Sequence, residues 1–130
     1  MGETVVLTAA DGHELSAYVA MPGSKPIAAI VVIQEIFGVN EHIREVTDRF
    51  AAAGYMAIAP ALFDRVGNGI ELAYDSDGVA KGRDLKTKAD NNSEADVMAA
   101  IAHVASSGKV AVVGFCWGGS LAWRLATRAD

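Results

Sequence analysis

The chain has one cysteine, Cys116, in 130 residues. An internal disulfide framework is therefore excluded, and a lone thiol suits a reducing cytoplasm, where it can serve as a nucleophile. There are three histidines, His13, His42 and His103, and no Cys/His cluster at metal-ligand spacing, so no metal is expected. Eleven lysines and arginines stand against sixteen aspartates and glutamates, a formal net charge of -5. With no basic run, nucleic acid and anionic membrane surfaces are not expected partners. No apolar stretch reaches the length of a transmembrane span, and Met1 to Ala10 lack a signal-peptide pattern, which points to a cytoplasmic protein. Repeats and low-complexity segments are also missing.

What remains is a chain that is 52% hydrophobic, enough for one domain with a real core and too short for two. Thr4 to Thr8 is a β-branched run. Asp11-Gly12 reads as a hairpin turn into Glu14 to Ala20, which alternates polar and apolar with period two, so an antiparallel pair at a sheet edge is expected. Ile27 to Ile33 is continuously apolar, as in a strand covered on both faces. Asn40 is a candidate N-cap for a helix carrying Ile43, Val46 and Phe50, with Gly54 as its stop. Tyr55 to Ala59 is a short strand closed by Pro60. Ala61 to Asn92 is the least regular stretch, a long connection with turn signals at Gly67-Asn68-Gly69 and Asp75 to Gly78 and a polar surface helix over Val79 to Ala89. Ser93-x-x-Asp96 resembles a capping box that starts a further helix through Val97, Ala100, Ile101 and Val104, ended by Gly108. The order is a hairpin followed by β-α-β-α-β-α. It predicts an α/β fold with a mostly parallel, twisted sheet and helices on both faces.

The last of those strands, Lys109 to Val113, runs directly into Gly114-Phe115-Cys116-Trp117-Gly118-Gly119 and then into Ser120 to Leu125. Strand, Gly-x-Cys-x-Gly-Gly turn and helix start in immediate succession are the nucleophile-elbow pattern with sulfur in place of a serine hydroxyl. A nucleophile on a sharp, strained turn needs neighbours without a Cβ so that strand and helix can approach. The turn also sets the sulfur at a helix N-terminus, whose dipole favours negative charge. The alternative is a small buried cysteine on a glycine-rich turn. Ligands in open α/β sheets sit beyond the carboxyl ends of the strands, and both Cys116 and Glu35 fall at such ends. A carboxylate ending an apolar central strand is costly unless it is paired or faces water. Facing Cys116, Glu35 could accept the thiol proton; otherwise it bonds loop amides. The fold's two oxyanion donors would be the backbone N–H of Trp117 and one from the loop at Ile36 or Phe37.

Gln34-Glu35-Ile36-Phe37-Gly38, Pro60-Ala61-Leu62-Phe63 and the Cys116 hexapeptide occur in the order and spacing of one family, and through them almost the whole chain resembles the dienelactone hydrolases among the α/β-hydrolases. The resemblance implies a cofactor-free hydrolase of small-molecule esters and lactones, including carboxymethylenebutenolide-type substrates. It implies that Cys116 is the nucleophile, that Glu35 meets the thiol, and that Ile36 and Trp117 supply the oxyanion amides. It also implies an arginine that holds a substrate carboxylate; Arg83 is the candidate, with a solvated surface arginine as the alternative. Phe37 is a candidate for lining the substrate pocket, together with Phe63, Trp117 and Tyr74, with core packing as the alternative for most of them.

The family's triad acid and histidine follow the nucleophile, and no histidine follows Cys116 here. His13, His42 and His103 are expected to be ordinary surface histidines, and Asp130 is no stand-in for the triad acid. In serine hydrolases, losing the histidine alone costs on the order of a millionfold. These residues by themselves are therefore expected to acylate slowly and not to turn over. The chain is expected to be the N-terminal portion of a single α/β-hydrolase domain over residues 1–130, or part of an obligate assembly. The strand before Cys116 would then be an exposed apolar edge, with Trp123 and Leu125 losing part of their cover. Two other readings stand beside this one. The first is a non-catalytic interaction protein that keeps half of a hydrolase fold and pairs through the exposed strand. The second is a redox-sensing thiol, for which no resolving cysteine exists.

Overall fold

The structure is a computed structural model and describes residues 2–127, so Asp130 lies outside the described residues. The β-branched N-terminus forms β1 (Gly2–Thr8), antiparallel to β2 (Glu14–Ala20), with Thr8 opposite Glu14. Gly12 takes φ +88° in the turn between them, and the His13 amide donates to Asp11 Oδ1 at 3.2 Å. Next come β3 (Ala29–Ile33), α1 (Glu41–Ala52), β4 (Met56–Pro60), a 3-10 turn at Leu62–Arg65 and α2 (Ser76–Val104). A second 3-10 turn at Ala105–Ser107 leads to β5 (Val110–Gly114) and α3 (Trp117–Ala126).

The five strands form one sheet in the order β1-β2-β4-β3-β5, with β4, β3 and β5 parallel and the hairpin joined antiparallel to β4. All five residues of β3 are buried, because helices cover both faces. Ala29, Val31 and Ile33 pack with residues of α2 and α3, including Val97, Val104 and Leu121. Ile30 and Val32 point the other way, toward Ile43 and Phe50 of α1. Each such fully buried Val or Ile side chain contributes about 1.5–3 kcal/mol. Alternation across a strand buried on both sides explains why β3 reads as an unbroken apolar run.

Three expectations are corrected. The central strand begins at Ala29, since Ile27 is exposed and its amide bonds the Gly54 carbonyl instead of a neighbouring strand. Val79 to Ala89 and the segment from Ser93 belong to one 29-residue helix. Its N-cap is Asp75, whose carboxylate accepts the Gly78 amide at 2.7 Å, while Ser93 lies buried mid-helix with its hydroxyl donating to the Asp90 carbonyl at 2.8 Å. Asp96 does not close a capping box; it is fully buried against Arg65. Finally, Leu125 keeps its cover, whereas Trp123 is 74% exposed. The strand leading to Cys116 is an edge of the sheet among the described residues, as expected.

Candidate active site

The elbow is built by close backbone packing at the end of β5. Gly114 pairs with Ile33, and Cys116 follows as the N-cap of α3 at φ 55°, ψ −116°, with its side chain exposed. It is the one non-glycine residue with positive φ among those described. Holding a residue with a Cβ in such a conformation costs on the order of 1–3 kcal/mol. What imposes it is the space around the glycines. A Cβ at Gly114 would run into the Gly118 carbonyl, and one at Gly118 into the carbonyls of Ile33 and Gln34. The turn is closed by the Gly118 amide donating to the Phe115 carbonyl at 2.9 Å.

Because Ile33 pairs with Gly114, Glu35 and Cys116 each stand two residues past that pair on adjacent parallel strands. Glu35 is half-buried, and its Oε1 accepts the Tyr74 hydroxyl at 3.1 Å. Tyr74 in turn accepts Asn40 Nδ2 at 2.9 Å, and its ring lies edge-on to Phe37 with centroids 4.5 Å apart. Burial raises the Tyr74 phenol above its ordinary value; the Asn40 bond works against this and the Glu35 carboxylate adds to it. Asn40 also caps α1 by accepting the Ile43 amide at 3.1 Å. Gln34, fully buried, donates to the Glu35 carbonyl at 3.0 Å and accepts the Leu62 amide at 2.9 Å, so the end of β3 is tied to the Pro60–Phe63 segment. Among the described residues, no hydrogen bond joins Glu35 to Cys116.

Trp117 is almost fully buried. Its indole stacks on Phe63 at 5.6 Å and 18°, and Nε1 donates to Asp90 Oδ1 at 2.8 Å. Asp90 also holds Arg124 at 2.8 Å, which reaches Glu94 at 3.5 Å. Burial pushes the Asp90 carboxyl up, but the bonds from Arg124 and Trp117 outweigh it and hold the group below the usual carboxylate range. Ile36 and Phe37 are half-buried in the loop after β3. The Ile36 carbonyl lies against Gly82 of α2, and the next residue, Arg83, is exposed.

His42 is exposed at the start of α1, with its ring centroid 6.5 Å from that of Phe115, and His103 is exposed near the end of α2. His13 is half-buried beside the hairpin turn. Among the described residues, no group of three or more His, Cys, Asp or Glu is arranged to hold a metal ion, and no helix is long and apolar enough to cross a membrane.

A cleft of about 210 Å³ lies under the 69–71 loop and is bordered by Gln34, Arg44 and Asp64, but not by Cys116. Three of its polar side chains are already bonded within the protein: Gln34 to Leu62, Asp64 to the Ser16 amide at 2.8 Å, and Arg44 to Glu71 at 3.3 Å. A wider groove of about 430 Å³ runs past Asn40, His42 and Tyr74 and so adjoins the group that holds Glu35.

The structure places Glu35 and Cys116 at neighbouring strand ends, as the sequence suggests, while the sequence gives no sign of the partners Asp90, Gln34 and Asn40 bring to them. Only the tryptophan's need for a partner for its N–H could have pointed to Asp90, and it could not have named the residue.

The chain is similar to known proteins along most of its length. A protein of Synechocystis sp., provisionally named a carboxymethylenebutenolidase, is 40% identical over 128 residues, covering 89% of this chain and 50% of that one. Carboxymethylenebutenolidase 1 of Cupriavidus pinatubonensis is 33% identical over 138 residues, covering 99% and 58%. The crystal structure of a protein provisionally assigned as a dienelactone hydrolase, from Klebsiella pneumoniae, superposes with a TM-score of 0.70 at 32% identity, covering 98% of this chain and 55% of that one. The chain thus spans about half the length of the curated relatives it matches. The model of the dienelactone hydrolase family matches residues 15–130, which include the Glu35 strand end and the whole Cys116 elbow, and this chain belongs to that family.

Proposed function

We propose that the protein hydrolyses small ester or lactone bonds, of the dienelactone and carboxymethylenebutenolide type, through Cys116. The observation that carries this is the strained backbone at Cys116, held at φ 55° between glycines that tolerate no Cβ and left exposed at a strand end beside the Glu35 strand. Strain of this kind persists only where surrounding packing over-determines it, and it suits a nucleophile held for attack. The thiolate adds to the acyl carbon, and the oxyanion is taken by the amides of Ile36 and Trp117. Collapse expels the alkoxide or enolate and leaves a thioester. Glu35 takes the thiol proton after leaving Tyr74, Phe37 lines the acyl side, and Arg83 holds a substrate carboxylate. Water then cleaves the thioester with a histidine and an acid supplied by the remainder of a longer polypeptide, in keeping with relatives about twice as long.

Incubation with p-nitrophenyl acetate should leave one acyl group per chain on Cys116, read by mass spectrometry, and none in Cys116→Ala. An unacylated but freely alkylated Cys116 would overturn the proposal. A second reading is favoured by the edge of β5, unpaired among the described residues, and the exposed Trp123: an interaction protein pairing through that strand. A stable dimer whose Cys116 is inert to activated esters would favour it.

A further inference from the structure

Both segments proposed as oxyanion donors rest on one element. Gly82 of α2 lies against the Ile36 carbonyl, so closely that a Cβ there would collide with it. Eight residues on, about 12 Å along the same helix, Asp90 takes the Trp117 indole N–H at 2.8 Å. Asp90 also holds Arg124, two turns along α3, at 2.8 Å. It therefore grips both the first residue of α3 and a residue near its end. Phe63 stacks on the indole at 5.6 Å, so rotation of Trp117 is blocked by a ring contact and by a charged acceptor. A hydrogen bond to a charged group contributes roughly twice what a neutral one does. The carboxylate is some distance in sequence from either loop and lies on a helix that touches both.

We propose that Asp90 is a positioning residue for the oxyanion hole: by fixing the Trp117 side chain it fixes the direction of the Trp117 backbone N–H, while Gly82 on the same helix seats the Ile36 segment. The inference rests on the hydrolase reading of Cys116. Its reach is set by the geometry of donors, since losing one oxyanion donor costs about a hundred- to a thousandfold in rate and misdirecting one costs part of that.

Two reactions of the same sulfur separate this role from a general loosening of the fold. Acylation by p-nitrophenyl acetate forms the S–C bond through a tetrahedral oxyanion and releases p-nitrophenolate. Alkylation by iodoacetamide forms the S–C bond by displacing iodide and creates no oxyanion. Asp90→Ala should slow acylation on the order of tenfold and leave alkylation within about twofold. Asp90→Asn, which keeps an acceptor for the indole, should recover most of the acylation rate. Trp117→Phe, which removes the N–H but keeps a ring on Phe63, should match Asp90→Ala, and the double variant should be no slower than either single one. Equal loss of both reactions in Asp90→Ala and Trp117→Phe would overturn the proposal in favour of structural support alone. Unchanged acylation in both variants would also overturn it. Absence of acylation in the unaltered protein, with alkylation intact, would instead remove the hydrolase reading itself.

Discussion

Cys116 carries strain that its own side chain makes costly. Two thiol-free variants isolate that term: Cys116→Gly should be more stable than Cys116→Ala by about 1 kcal/mol, because glycine adopts positive φ freely and alanine does not. Urea unfolding of the pair measures the difference, and equal midpoints would mean that the elbow relaxes. A second residue of this kind is Arg65, whose guanidinium bonds the fully buried Asp96 at 2.7 Å and the exposed Asp11. Arg65→Ala should destabilise by about 3–5 kcal/mol, since it leaves the Asp96 charge buried without its cation. The side-chain hydrogen bond from Arg65 lowers the Asp11 pKa from 3.8 to about 2. A depressed carboxylate lends stability that is fully present above its unfolded value and is lost as pH falls through its folded one. The melting temperature of the unaltered protein should therefore fall more steeply between pH 4 and 2 than that of Asp11→Asn. Parallel curves would show that the pair contributes nothing at this exposed position.

Among the elements, α2 is where sequence and structure part. Its residues 83–94 are rich in Asp, Lys, Asn and Glu, so the apolar stripe that marks a helix is interrupted midway, and Ser93 before an apolar run looks like a start. Tertiary contacts reverse that reading. The i,i+4 pair Asp84–Lys88 at 2.9 Å lies on the solvent side, and the polar face is occupied by Asp90 and Asp96 meeting arginines from elsewhere. The two ends of the helix supply a test. Asp75→Ala removes a real N-cap and should cost about 1 kcal/mol, whereas Ser93→Ala removes only a back-bond to Asp90 and should cost less than half of that. The opposite ranking in thermal melts would restore two separate helices. By contrast, the hairpin, α1 with its Asn40 cap, and β5 into α3 were legible to within two residues. Their signals are local: β-branched alternation, an N-cap, and a glycine-rich turn.

At the scale of the whole molecule, β5 is the last strand of the sheet among the described residues. That strand is parallel to β3 on one side and has an open edge on the other among the described residues, with Trp123 of the following helix exposed. Unpaired apolar edges recruit strands. The 130-residue chain by itself should therefore self-associate in sedimentation experiments. Ala111→Lys, a charge at an exposed position of β5, should reduce that association. A monomer at all concentrations in both forms would show that the edge is protected.

The sequence alone determined the order of elements, the family, and the identity of Cys116 and Glu35 as strand-end residues, because periodicity, caps and glycine turns are local and the motif spacing is joint. Tertiary structure decided which groups hold them. The chain places Tyr74 thirty-nine residues after Glu35, and Trp117 twenty-seven after Asp90. No periodicity links positions so far apart; only the register of β3 against β5 and the packing of one long helix across two strand ends bring them together. That is also why the sequence left Glu35 either facing the thiol or bonded to loop amides and could not name Tyr74, the partner the fold gives it.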